Sequence, residues 1–373
     1  MIFRAADARR PPRSFIPLNV RSILPTALLL LIASNAAAAV WQVSDARTLA
    51  AALAGSAAGD EIVLARAAKP YVGPIALKAS QKLTGAPGDP APAITADDGV
   101  VIVAASGTTI RHIDVAGNAK TVGIRVTSGN VTIDKCGFRD NAASIDVASG
   151  EKSEVALTLT SNRFQHNAAA LSVTAFGKAR VRVSMSKNNV AGTTVSAVSL
   201  FSRDNAELTA TIVQNELSGA VCGGGCNAIR LTANDSSSFS AAIRDNVIND
   251  LDESAIRAIA AAGSPSMALA IEWNTVNAPS NAGPAIHVTS GATKNDTARI
   301  CAKIARNRLG GAHIRLLRSA PGATLALDPK RRFGTTAAAE AAVAAANGGA
   351  VVHAAVRNGA TPEFGAANCK LPE

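Results

Sequence analysis

Residues 271–288 read IEWNTVNAPSNAGPAIHV, and residues 243–258 read IRDNVINDLDESAIRA. Few residues coincide, but a skeleton is shared: isoleucine three before an asparagine, an aliphatic residue two after it, then a small residue followed by isoleucine. The skeleton recurs along the chain. Its corner position is filled by Ile113, Cys136, Asn162, Asn188, Asn215, Asn246, Asn274 and Asn307. Three before each corner stands Ile110, Ile133, Leu159, Met185, Ile212, Ile243, Ile271 or Ile304; two after stands Val115, Phe138, Phe164, Val190, Leu217, Ile248, Val276 or Leu309. A third slot follows in GIRV (123–126), SIDV (144–147), ALSV (170–173), AVSL (197–200), AIRL (228–231), AIRA (255–258), AIHV (285–288) and HIRL (313–316). Successive third-slot positions lie 21 to 31 residues apart, the signature of a stacked repeat.

Within each slot apolar residues alternate, as in Leu208, Ala210 and Ile212. Period two means strands with one face buried. Three short strands per unit, with a polar residue at a fixed corner, specify a coil that stacks on its predecessor at the strand spacing of about 4.8 Å. The asparagines then form an internal ladder. Asparagine is expected at that corner because it tolerates left-handed backbone and satisfies buried polar groups. Composition agrees: only twelve of 373 residues are Phe, Trp or Tyr, so the core must consist of thin aliphatic layers.

These slots resemble the right-handed parallel β-helix, or pectin-lyase-like, superfamily over about residues 60–330. The resemblance implies an all-β solenoid of about nine or ten coils and says little about activity. The entry segment from Val40 also resembles that family, with an amphipathic capping helix expected at about 45–54. A cap is physically required, since an open end exposes strand edges and apolar layers. The tail, with ICAKIARNRLGGAHIRL, KRRFGTT and a closing ANCKLP, resembles the last segment of β-helical repeats in secreted bacterial surface proteins. A helix over 337–346 and a strand over 350–356 are expected to form a lid. The domain reading is therefore a leader at 1–39, a capped β-helix at 40–330 and a C-terminal cap at 331–373.

The leader reading rests on Arg4, Arg9, Arg10, Arg13 and Arg21, the short apolar run ILPTALLLLIA (23–33) and the small residues SNAAAA. That pattern marks a secretory signal peptide cut near Ala39, too short to span a bilayer. Export to the periplasm, cell surface or medium is the expectation. The remaining chain keeps 32 basic and 26 acidic residues, a mild +6 that admits an acidic glycan as partner. Nucleic acid is not expected of an exported chain with few aromatics and no recognition motif, and no membrane span or cofactor is expected once the leader is gone.

An exported chain supports disulfides. Cys301 stands one residue off the inward Ile300 and Ala302, so it faces outward, and Cys369 lies in a tail that must fold back over the last coil. The expected pairs are Cys301–Cys369 and, in AVCGGGCNA, Cys222–Cys226. Cys136, at a corner position, is expected to be a buried free thiol. No ligand set for a metal is present nearby.

In β-helix lyases and epimerases of this resemblance, substrate lies along the outside of the third-slot strand. Here the outward positions are Arg125, Asp146, Ser172, Ser199, Arg230, Arg257, His287 and Arg315, with His313 beside them. Arg230, Arg257, His287 and Arg315 form the candidate ligand row, with Asp250, Asp252 and Glu253 as internal counter-charges. Of these, His287, His313 and Arg257 are the candidates for acid, base or charge-neutralising roles in uronate β-elimination. Against catalysis stand the single acid in the row, Asp146, and the lack of paired carboxylates that a glycoside hydrolase needs. The expected role is a non-catalytic module that binds or presents, to an acidic polysaccharide or surface glycan; the alternative is a polysaccharide lyase or epimerase.

Overall fold

The computed structural model describes residues 37–220, 225–251, 253–277, 283–327, 331–362, 364–365 and 371–372. The leader run, Cys222, Asp252 and Cys369 lie outside the described residues.

The chain from Ala38 onward winds into a right-handed parallel β-helix whose three sheet faces hold twelve, nine and eleven strands among the described residues, about nine coils in all. One coil runs through Glu154–Thr160 on the first face, Arg163–Gln165 on the second and Leu171–Ala175 on the third. Each strand pairs in parallel with its equivalents one coil before and after. The repeated slots stack in register. Ile110, Ile133, Leu159, Met185, Ile212, Ile243, Ile271 and Ile304 form one column on the first face, all 4% exposed or less. On the second face Phe138 stacks on Phe164, with ring centroids 5.0 Å apart and planes 10° from parallel. Identical slots meeting identical slots is how a core with so few aromatics reaches close packing.

The corner between the first and second faces carries the asparagine ladder. Asn162, Asn188, Asn215, Asn246, Asn274 and Asn307 are all buried. Each donates its backbone N–H and its side-chain Nδ2 to the Oδ1 of the next, as Asn215 does to Asn246 at 3.0 Å for both. Each also donates to the preceding coil, as Asn246 does to the Ile212 carbonyl at 2.9 Å. Left-handed backbone, expected of the asparagine itself, belongs to the residue before it: Ser161 (φ 56°), Lys187 (58°), Gln214 (56°), Asp245 (55°), Trp273 (62°) and Arg306 (61°). The turn is made by an outward-pointing residue, which leaves the asparagine free to point in.

Two further ladders escaped the repeat pattern. At the second corner the Asn141 backbone and side chain both donate to Asn167 Oδ1, at 3.0 and 3.1 Å. At the third corner aspartates take the part: Asp204 accepts from Gly177 N at 3.0 Å and Asp235 from Asp204 N at 3.2 Å. Further along, Asp296 accepts from the backbones of Ala262, Gly263, Ala292 and Thr293 and from the Thr293 hydroxyl, at 2.6–3.3 Å. Burial alone would raise its pKa, but those bonds outweigh it and hold the carboxyl down at about 2.

Helix α1 (Ala46–Gly55) starts at the Asp45 cap, where Asp45 and Thr48 bond reciprocally, and buries Leu49 and Ala52. Helix α2 (Thr336–Ala346) is capped by Thr335 and ends at Asn347. Asn347 is the last rung of the ladder: its Oδ1 accepts from the Asn307 backbone and side chain at 3.0 and 2.9 Å. The strand Val352–Val356 then adds the last member of the third face.

Candidate functional site

The third face presents the outward row expected from the sequence. Strand register brings Arg125, Asp146, Ser172, Ser199, Arg230, Arg257, His287 and Arg315 into one unbroken line. His353, brought back by the strand after α2, extends the line beyond Arg315. It was invisible in the repeat because a helix separates it from the preceding coil. His313 sits at the edge of the row, its ring 5.0 Å from that of His353 in an edge-to-face contact.

The charges of the row are partly answered within the protein. Arg125 is ion-paired with Asp146 at 3.2 Å, so the one acid of the row is engaged within the protein. Arg257 is bridged to Glu253 at 3.6 Å, while the other Glu253 oxygen accepts from Gly225 N at 2.8 Å. The guanidinium Nε of Arg257 is buried and has no acceptor among the described residues. Asp250 occupies a left-handed corner (φ 51°) and makes no described ion pair. Arg230 is exposed and Arg315 half-buried.

His287 is half-buried between Arg257 and Arg315, and its Nε2 lies 3.1 Å from the Thr289 hydroxyl. Burial, then the charges of Arg257 and Arg315, push its pKa down to about 4. At neutral pH it is therefore an uncharged imidazole, not a fourth cation. Burial and the neighbouring His353 and Arg315 lower His313 as well. Beside the basic row runs a second row of half-buried residues, Thr174, Phe201, Thr232, Ile259 and Thr289, alternating hydroxyl-bearing and apolar and ending on the buried Leu317. The face thus offers cations along one line and C–H and O–H groups along the next.

Other features sit elsewhere. Trp273 is half exposed, but the Arg306 guanidinium covers its ring at 4.5 Å. A cleft of about 480 Å³ lies between Arg306–Ala312 and Asn347–Val351, beginning at the asparagine-ladder corner of the last coil rather than on the basic row. Among the described residues no three His, Cys, Asp or Glu side chains are gathered as a metal would require. No helix among them is long and apolar enough to cross a membrane.

Cys136 is the buried free thiol, its pKa raised to about 12 by desolvation. Cys301 lies on the outer side of the first face but is covered rather than exposed. The chain end returns to that face, where Arg244 Nη2 donates to the Pro372 carbonyl at 3.0 Å. Neither Cys301 nor Cys226 is a free thiol, and their expected partners, Cys369 and Cys222, lie outside the described residues.

Comparison with known proteins found no family model, no curated protein and no solved structure that matches this chain.

Proposed function

We propose that this protein is an exported, non-catalytic β-helix module of the pectin-lyase-like kind that binds acidic polysaccharide along its third face. The carrying observation is the unbroken row Arg230, Arg257, His287 and Arg315, with three guanidiniums at successive or next-but-one coils on the outer side of the third face. A polymer with regularly spaced carboxylates or sulfates matches cations fixed at the coil repeat of about 4.8 Å. The neighbouring row of threonines and apolar side chains supplies contacts for sugar hydroxyls and C–H faces. Disulfides Cys301–Cys369 and Cys222–Cys226 belong to the same reading: the first would pin the tail to the last coil, stabilising it by about 2–4 kcal/mol.

The lyase or epimerase reading draws its support from His287, an unprotonated imidazole flanked by two guanidiniums. A general base works best with a pKa near the working pH, so a value held down at about 4 argues for a weak one.

Size-exclusion chromatography with labelled acidic and neutral polysaccharides tests the proposal. The acidic label is expected to move to larger size and to be released by salt, because exposed charges are screened. Removing Arg230, Arg257 and Arg315 singly should weaken binding in graded steps. A shift of label to smaller size would instead establish cleavage and place His287 and His313 at its centre. No shift with any polymer would end the polyanion reading.

A further inference from the structure

Residues 36–39 are four alanines ahead of Val40, preceded by Ser34 and Asn35. Leader removal asks for small residues three before and one before the cut. Bonds after Ala36, Ala38 and Ala39 all meet that requirement, whereas a cut after Ala37 would put Asn35 in the first of those places. The pattern leaves three choices. The fold distinguishes them.

Among the described residues, Ala39 is the first whose backbone is bonded into the fold. Its N–H donates to Asp60 Oδ1 at 2.8 Å, and its carbonyl accepts from Glu61 N at 2.8 Å. Ala37 and Ala38 are exposed. Asp60 is itself buried at 7% exposure, and its other oxygen accepts from Ala57 N at 2.7 Å and Trp41 Nε1 at 3.1 Å. The nearby charged groups are engaged elsewhere: Lys78 Nζ donates to the Ser56 carbonyl, and Glu61 accepts from the Thr84 hydroxyl at 2.9 Å. One oxygen of Asp60 is thus set aside for the point at which the chain enters the fold.

We propose that the leader is cut between Ala38 and Ala39, so that the new α-ammonium of Ala39 sits on the Asp60 carboxylate. Water adds across the Ala38–Ala39 amide in the host peptidase, leaving a carboxylate on Ala38 and an ammonium on Ala39. A neutral N–H bond then becomes a charge-assisted one. A cut one residue later would remove Ala39, stripping Asp60 Oδ1 and Glu61 N of their partners. A cut after Ala36 would keep the neutral bond and leave two exposed alanines. The proposal rests on the export reading, and its test separates the two.

The full chain is expressed in a secreting bacterial host, and the exported protein is analysed by intact mass and N-terminal sequencing. A start at Ala39 is expected. A start at Ala37 or Val40 overturns this inference while leaving export in place; an uncut chain retained in the cell overturns both. The ion pair is tested on the mature protein by selective acetylation of its α-amine, which keeps an N–H for Asp60 and removes only the charge. An ammonium held by a carboxylate titrates above the ordinary α-amino value of about 8, so its contribution is present below that pH and lost as pH rises through the shifted value. Acetylation is therefore expected to lower the melting temperature at about pH 6 and to leave it unchanged at about pH 10. Equal melting at both would overturn the ion pair.

Discussion

A ladder asparagine is held by the coils above and below it, and its loss would be felt in both. Asn246 Oδ1 accepts from the backbone and side chain of Asn215, and its own amide reaches Ile212 and Asn274. Replacing Asn246 by leucine leaves those groups buried without partners, at about 1–3 kcal/mol for each unsatisfied group. A total loss of about 3–5 kcal/mol in denaturant unfolding is the expectation, and a loss below about 1 kcal/mol would show the amides to be passengers. The ladder was legible because asparagine recurs at one place in the slot, three after one aliphatic residue and two before another. The left-handed residue beside it was not, because Ser161, Lys187, Gln214, Asp245, Trp273 and Arg306 share no side-chain chemistry: they point outward, and the surface does not constrain them. At the candidate site the row of side chains was legible and their charge state was not, since burial depends on neighbouring loops. His287 shows the consequence. Its folded pKa of about 4 lies below the unfolded value of about 6.5, so the unfolded chain binds the proton more readily between the two. The stability that neutral His287 contributes is present above about pH 6.5 and disappears as pH falls towards 4. His287→Gln should flatten that part of the stability profile, measured as denaturant midpoints across the window; an unchanged slope would place the proton linkage elsewhere.

Among the elements, the lid shows where reading by repeat stops. The helix expected at 337–346 is Thr336–Ala346, and the strand expected at 350–356 is Val352–Val356. What the pattern did not reveal is how the lid joins the stack. Asn347 completes the ladder from a helix terminus, where Ala344 rather than a large apolar residue stands three before it, so the slot that marked the other rungs is not filled. The terminal strand also needs its free edge covered, because unpaired strand amides invite association. Helix α2 does this with Glu340, which accepts from Ala354 N at 2.7 Å. Glu340→Ala should therefore cost about 1 kcal/mol in thermal unfolding. It should also raise self-association, seen by light scattering at high concentration. Loss of stability without association would mean that the edge is protected by something other than this carboxylate.

At the scale of the whole molecule, each coil touches only its neighbours, so stability should be distributed along the axis as in a one-dimensional array. The three ladders add coupling between adjacent coils, and the two caps end the array where apolar layers would otherwise meet water. A disturbance at one cap should then travel a short distance and fade. Val343, on the buried face of α2 at 4% exposure, is the place to apply it. Val343→Asp puts a carboxylate on the buried face of α2, in a cleft lined by Ile304 and Leu327 as well as by Lys303 and Arg331, and the cost of burying it should undock the lid. Hydrogen exchange of the variant is expected to quicken in Ile314–Arg318 and Arg299–Ala305, the strands that the lid covers. Exchange in Glu154–Thr160 and Arg180–Ser186, several coils away, should stay as slow as in the parent. If protection instead fell equally along the axis, the ladders would be binding all the coils into one cooperative unit, and the lid would then be a stability element for the far coils as well as for its own end.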